Sequence, residues 1–159
     1  MSTDIEKVAL VYGRDLEVGQ VFGLSEYTLT REDLLDFANK WDPQGFHIDE
    51  KIAESGAYGG LIASGIQTLA IMQRLSVIDV YDNWAVIAGK TLRDTSFLRP
   101  VRPGDVLTGT LTITGLDFDD RNRTLVDVDS EMTVEGRPVL RAAMSSLMWA
   151  APPAATTAG

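Results

Sequence analysis

The residues best suited to acid–base chemistry lie in one short run, Trp41 to Asp49. Asp42 and the chain's only histidine, His47, are five residues apart within it. A carboxylate and an imidazole can together hold one water and move its proton near neutral pH. Pro43 and Gly45 disfavour a helix, so a turn outside the core is expected to bring both side chains to one point. A histidine with a purely structural role, beside a common Asp-Pro turn, is the alternative.

A second feature follows seventeen residues after His47, where Ser64 and Gly65 precede an apolar run from Ile66 to Val80. A glycine near a helix start lets a backbone N–H approach a ligand oxygen, and the helix dipole adds to the attraction. An acid–base pair together with a backbone donor for a developing oxyanion is what the addition of water to an α,β-unsaturated thioester requires.

The composition restricts the class of protein. With 159 residues, 45% of them hydrophobic and 23% charged, the chain is expected to form one globular domain over residues 1–150. The Pro- and Ala-rich residues 151–159 are expected to be a disordered tail. A net charge of −9 argues against nucleic-acid binding. The absence of cysteine excludes disulfides and thiolate catalysis, and a single histidine argues against a catalytic metal.

The distribution of apolar residues bears on location. The segment Met1 to Lys7 is acidic and lacks the apolar core of a signal peptide. Arg74 and Asp79 interrupt the longest apolar region, so no membrane span is expected. These observations predict a cytoplasmic protein that does not bind membranes.

Three helices are predicted before the middle of the chain. One begins after the capping residue Thr30 and ends at Asp42, with apolar positions at helical spacing up to Trp41. A short helix is expected over residues 49–55. A long one is expected over residues 64–80, apolar on most of its circumference and therefore buried on most sides. Its narrow polar face is predicted to comprise Ser64, Gln67, Thr68 and Arg74.

Alternating apolar and polar residues predict strands before and after these helices. The stretches are residues 18–29, 84–98, 107–114, 126–134 and 140–148. Strand material, helices and then an antiparallel meander fit a curved antiparallel sheet wrapped around one long central helix. This is the hot-dog fold, an α+β architecture.

At three places the sequence resembles the MaoC-like dehydratase family, which includes the (R)-specific enoyl-CoA hydratases. Residues 42–49 are similar to the family run Asp-x-Asn-Pro-(Ile/Leu)-His-x-Asp. Residues 58–65 are similar to the segment ending in (Ala/Val)-His-Gly that opens the family's central helix. Residues 97–105 resemble Phe-x-x-Pro-Val-x-x-Gly-Asp. The three motifs occur in order, and the resemblance covers about residues 18–150.

The resemblance implies a hydro-lyase that acts on a 2-enoyl-CoA, or a related acyl thioester, with (R) specificity. Asp42 and His47 would be the catalytic pair, and the Gly65 N–H would donate to the thioester oxygen. CoA would be part of the substrate, and no further cofactor is implied. Gln44 replaces the family's Asn, Gly45 its Pro and Ser64 its His. Gln44 and Ser64 are therefore candidates for supporting the site, and these departures bear on substrate and rate more than on reaction class.

Further residues have a functional and a structural interpretation. Asp49 either orients His47 or caps the following helix, and capping is favoured. Tyr58 either lines the substrate tunnel or packs in the core. Four basic side chains are candidates for contacting the CoA phosphates, although such side chains are usually only solvated: Lys90, Arg93, Arg99 and Arg102.

Two other functions remain open from the sequence. A hot-dog thioesterase needs the same acyl pocket, but its water attacks the carbonyl carbon and releases a thiol. A non-catalytic acyl-CoA-binding module would bind the thioester without turnover, and retention of both Asp42 and His47 argues against it. In any of these cases the nearly all-round apolar helix predicts a homodimer or an assembly of dimers.

Overall fold

The computed structural model describes residues 10–155, so the N-terminal segment considered for a signal peptide and the last four residues of the predicted tail lie outside it. Nine main elements follow one another along the chain: β1 (Val21–Thr28), α1 (Arg31–Trp41), α2 (Gly45–Ile48), α3 (Glu50–Ser55), α4 (Gly65–Asp79), β2 (Val86–Phe97), β3 (Val106–Phe118), β4 (Arg123–Val134) and β5 (Arg137–Trp149). Within the described range no helix is long and apolar enough to cross a bilayer.

The five strands form one antiparallel sheet in the order β1-β3-β4-β5-β2. Strands β3, β4 and β5 are a meander, as the alternation predicted. β2 does not pair with β3, the next strand in sequence, but lies at the far edge beside β5. The long helix α4 packs against the sheet, contacting β1 and β5. The α+β hot-dog architecture expected from the sequence is confirmed.

Helix α1 has the boundaries that its sequence predicts. The Thr30 side chain accepts a hydrogen bond from the Asp33 backbone N–H at 3.1 Å, which caps the N-terminus. The helix ends at Trp41, with Asp42 as its C-cap residue, because Pro43 cannot continue it. Trp41 does not belong to the buried face, however: it is 66% exposed, and the Lys40 ammonium lies 5.2 Å from the centre of its ring.

The expectation that Pro43 and Gly45 exclude a helix was wrong for the residues between the candidate pair. Gly45–Ile48 form a single helical turn, α2, with Gln44 at its N-cap. Pro43 precedes the first turn, where a proline disrupts no helical hydrogen bond. The glycine also has a packing role, because a Cβ on Gly45 would lie 3.0 Å from the Ile52 side chain of α3.

The polar face predicted for α4 was wrong in part. Gln67 and Thr68 are buried, whereas apolar Ile66 and Ile78 are each more than half exposed. The Gln67 side chain reaches α1, where its Nε2 donates to the Asp33 carbonyl at 2.9 Å. The apolar core lies on the same side of the helix, through Ile71, Met72 and Leu75. In the single chain α4 therefore buries one side, and its exposed side remains largely apolar.

Candidate active site

Asp42 is held at the end of α1 by two side chains. The Ser64 hydroxyl, from the N-cap of α4, donates to Asp42 Oδ2 at 2.6 Å. The Gln44 Nε2 donates to Asp42 Oδ1 at 2.8 Å. Two residues in which this chain departs from the family motif thus both contact the carboxylate. Because each oxygen has a donor, the orientation of the carboxylate is fixed.

His47 is buried, with only 4% of its surface exposed, contrary to the expectation that it lies outside the core. Its Nδ1 lies 2.7 Å from the Ile62 carbonyl oxygen. A carbonyl oxygen can only accept, so Nδ1 carries the proton, and in the neutral ring Nε2 has the free lone pair. The ring of Phe46 lies beside the imidazole, with 4.3 Å between the ring centres. Burial and the Ile62 bond together fix which nitrogen faces Asp42.

The two candidate acid–base groups meet as the sequence predicted. His47 Nε2 lies 3.5 Å from Asp42 Oδ2. An unprotonated Nε2 and a carboxylate are both hydrogen-bond acceptors, so they require a donor between them. A water beside the pair can donate one O–H to each at about 2.8 Å. The geometry therefore fits the activation of one water by two bases.

Hydrogen bonding lowers the pKa of Asp42 below its ordinary value. The largest cause is the Ser64 hydroxyl, followed by the Gln44 amide, and the positive charge of a protonated His47 contributes less. Partial desolvation acts in the opposite direction but is weaker. Asp42 is therefore ionised throughout the neutral range, as a base or an acceptor for water must be.

Replacing Ser64 by Ala is expected to raise the pKa of the Asp42 carboxyl, which is measured from its ¹³Cγ chemical shift in a pH titration by NMR. The Ser64 hydroxyl is the main donor to the ionised carboxyl, so its removal leaves the carboxylate less stabilised. Loss of the α4 cap should also cost about 1 kcal/mol of stability. Ser64→Thr keeps a hydroxyl and should keep the Asp42 pKa in place. An unchanged pKa in the Ala variant would show that this bond does not lower it.

Gly65 is the first residue of α4, and its N–H is not among the hydrogen-bonded groups of the described residues. The first N–H groups of a helix have no intrahelical acceptor, so this donor is free for a ligand. Gly65 and His47 line the same cavity of about 230 Å³. The rest of its wall is mainly apolar: Tyr58, Ile62, Ala63, Thr68, Phe97, Leu98, Arg99, Pro100, Val101 and Val139. The cavity therefore combines apolar surface with a free N–H at the helix start.

The absence of a side chain at Gly65 is required by Phe97. A Cβ at position 65 would lie 2.7–2.8 Å from three atoms of the Phe97 ring, closer than van der Waals contact allows. Phe97 ends β2 and is 53% exposed. The three sequence motifs therefore meet at this cavity. The first supplies His47 to its wall, the second Gly65 and the third Phe97.

The two remaining candidates for site support have different positions. Asp49 caps α3, where its Oδ1 accepts from the Ile52 backbone N–H at 3.0 Å. Both ring nitrogens of His47 face other groups, so Asp49 does not orient the imidazole. Tyr58 is half exposed and lines the cavity, so it is not a core residue.

The four basic candidates are dispersed. Arg99 lines the cavity, and its Nη1 donates to the Pro138 carbonyl at 2.6 Å. Arg102 Nη2 donates to the Tyr58 carbonyl at 2.5 Å, whereas Arg93 contacts the carboxylate of Asp127. Lys90 is exposed on β2. The structure brings only Arg99 to the cavity.

Sequence reasoning missed two groups. The Ile62 carbonyl sets the tautomer of His47, and no sequence signal marks a backbone acceptor. Thr68, which was assigned to the narrow polar face of α4, lines the cavity. Its spacing of three residues from Gly65 on a helix could have indicated this. Among the described residues, no group of three or more His, Cys, Asp or Glu side chains is placed to hold a metal ion.

Comparisons with known proteins show what this chain is similar to. The family model for the MaoC like domain matches residues 15–136. The uncharacterized protein YdeM of Bacillus subtilis is 39% identical over 93 residues. These residues cover 58% of this chain and 66% of the length of YdeM. The (R)-specific enoyl-CoA hydratase of Rhodospirillum rubrum is 28% identical over 86% of this chain and 93% of its own. The crystal structure of a MaoC-like dehydratase from Rhodospirillum rubrum superposes with a TM-score of 0.81, at 30% identity over 90% of this chain and 99% of that one.

Proposed function

Since this chain belongs to the MaoC-like domain family, we propose that it is a hydro-lyase that adds water to, or removes it from, the double bond of a 2-enoyl-CoA or a related acyl thioester. One observation carries the proposal. Two proton acceptors, His47 Nε2 and Asp42 Oδ2, lie 3.5 Å apart, and His47 lines the same cavity as the free Gly65 N–H. Water activation and oxyanion stabilisation are thereby combined at one acyl-sized cavity.

The proposed reaction proceeds by general acid–base catalysis. As the water oxygen bonds to Cβ, His47 Nε2 takes a proton from the water, whose other O–H donates to Asp42. The electron pair of the double bond moves toward the thioester carbonyl, and its oxygen, now negative, accepts the Gly65 N–H. The proton then passes from the pair to Cα, which restores the carbonyl. Atoms and charge balance without a further cofactor.

The stereochemistry belongs to the same proposal. If one water between Asp42 and His47 supplies both the hydroxyl group and the proton, the two add to the same face of the double bond, so addition is syn. The (R) hand of the product follows from the resemblance to (R)-specific hydratases, one of which is a relative of this chain.

The cytoplasmic location expected from the sequence is likewise part of the proposal.

A spectrophotometric assay tests the reaction class. With crotonyl-CoA, enoyl thioester absorbance should fall without release of free thiol, and the product should be oxidised by an (R)-specific 3-hydroxyacyl-CoA dehydrogenase. Enoyl thioesters of longer chain extend the panel, because chain length is open. Thiol release would indicate a thioesterase, and binding without turnover of any substrate would indicate a binding module. A product oxidised only by the (S)-specific dehydrogenase would contradict the proposed hand.

We expect the protein to be a homodimer or an assembly of dimers. Among the described residues, strand β2 pairs only with β5, and it is exposed along almost its whole length, including Leu92 and Phe97. The outer side of α4 exposes Ile66 and Ile78. A long exposed edge strand invites pairing with another chain, and a second copy would cover both surfaces. Sedimentation equilibrium at micromolar concentration should show twice the monomer mass or more. A single 17.3 kDa species would contradict the dimer.

A further inference from the structure

The hydroxyl of Thr68 is a polar group in the cavity wall that the mechanism above does not use. Thr68 is only 3% exposed and lines the cavity together with Gly65 and His47. Among the described residues its hydroxyl takes part in no side-chain hydrogen bond. Among the described residues, two side-chain atoms are fully buried and have no hydrogen-bond partner, Gln67 Oε1 and Thr124 Oγ1. The Thr68 hydroxyl is not one of these two, so it retains some accessible surface. It therefore has no partner in the described part of the chain and is open to the cavity.

A buried helical threonine usually bonds the carbonyl one turn earlier, which would here be that of Ser64. The Ser64 carbonyl instead accepts two backbone N–H groups, from Gln67 at 3.0 Å and from Thr68 at 3.2 Å. Ser76, farther along the same helix, does make the usual bond, to the Met72 carbonyl at 2.7 Å. The contrast within α4 indicates that the Thr68 hydroxyl is directed to something other than its own helix.

The position of Thr68 relative to Gly65 suggests what that partner is. The two residues are three apart in α4, so they lie on the same face, with neighbouring side-chain positions about 5–6 Å apart. Helical side chains lean toward the N-terminus, which moves the Thr68 hydroxyl over the first turn and toward the Gly65 N–H. Because Gly65 has no side chain, nothing on the helix separates the two donors. An oxygen between them can accept both at about 2.7–3.1 Å.

We propose that the Thr68 hydroxyl is a second donor to the thioester oxygen, so that the oxyanion hole consists of the Gly65 N–H and the Thr68 O–H at the start of α4. This inference rests on the proposed function. The carbonyl oxygen accepts both bonds in the bound substrate and gains negative charge as water adds to Cβ. Both bonds then strengthen, which lowers the barrier more than it tightens substrate binding. Thr68 is thereby a catalytic residue that touches the substrate.

Steady-state kinetics of Thr68→Val and Thr68→Ser test the proposal. Valine has nearly the shape of threonine without the hydroxyl, so kcat should fall about tenfold with little change in KM. Serine keeps the hydroxyl and should retain most of the wild-type kcat. A packing role gives the opposite order, because valine preserves the buried volume and serine leaves a small void. A Val variant with wild-type kcat would overturn the proposal.

Infrared spectroscopy of a bound, unreactive thioester separates this inference from the proposed function. Butyryl-CoA labelled with ¹³C at the carbonyl cannot be hydrated, and its carbonyl stretch reports the hydrogen bonds to that oxygen. The stretch should lie lower on the wild type than in water, and Thr68→Val should shift it back upward while Thr68→Ser does not. An equal stretch in wild type and Val variant overturns the role of Thr68, even if hydration is observed. If no enoyl thioester is hydrated, the proposed function fails whatever the spectrum shows.

Discussion

Replacing either His47 or Asp42 by Asn is expected to lower kcat for the hydration of crotonyl-CoA by about a hundredfold or more, the usual scale for the loss of an acid–base group. His47→Asn removes the ring nitrogen that faces Asp42, and Asp42→Asn replaces one carboxylate oxygen by an amide donor. Either change leaves the bridging water with one base. Steady-state rates measured from the loss of enoyl absorbance check the prediction.

The folded state requires a separate control, because His47 is buried and donates to the Ile62 carbonyl. His47→Ala would leave that carbonyl unpartnered, at a cost of about 1–3 kcal/mol, whereas an Asn amide, whose Nδ2 takes the place of the ring Nδ1, can still donate to it. Asp42 is more exposed, so its Asn variant should melt near the wild type. A variant that melts like the wild type and retains near wild-type kcat would remove that residue from the mechanism.

A proline at position 65 should lower kcat by about a hundredfold or more, because it removes the backbone donor of the proposed oxyanion hole. Gly65 is the first residue of α4, a position at which proline is well tolerated. Ser64 already has the extended conformation that precedes a proline, with φ −56° and ψ 136°. The change therefore deletes the N–H while the helix is kept.

The matched control for this experiment must account for Phe97, whose ring would lie 2.7 Å from any Cβ at position 65. Both variants are therefore made in a Phe97→Ala background, and Gly65→Pro is compared with Gly65→Ala, which keeps the N–H. The two should melt within a few degrees of each other, yet only the Pro variant should lose kcat. Equal rates in the pair would exclude the Gly65 N–H as the oxyanion donor.

The sequence by itself determined those features that depend on neighbours along the chain. The caps at Thr30 and Asp49 were predicted because a side chain that accepts from an N–H three residues later is a local interaction. The meander of β3, β4 and β5 followed from alternation of period two and from the turns between the strands. The place of Gly65 in the first turn of α4 was predicted from the Ser64-Gly65 step before the apolar run and from the resemblance to the family's His-Gly step.

The catalytic pair was predicted as a pair because Asp42 and His47 are close in sequence, although the helical turn that joins them was not. Tertiary structure alone decided how each is held. Ser64 comes from a helix start twenty-two residues away to donate to Asp42, and the Ile62 carbonyl sets the tautomer of His47. Neither contact leaves a periodic signal, because each depends on how α1 and the chain before α4 pack together.

Burial and strand order also required the tertiary structure. Thr68 reads as a solvent-facing residue, yet it lies in a cavity wall, because the side of α4 that faces the core is chosen by what packs against it and not by hydropathy alone. Likewise β2 bypasses β3 and joins β5 at the sheet edge. The residue types with the required chemistry are thus set by sequence. Which of them share one cavity is set by contacts between distant segments, whose free energy no local pattern records.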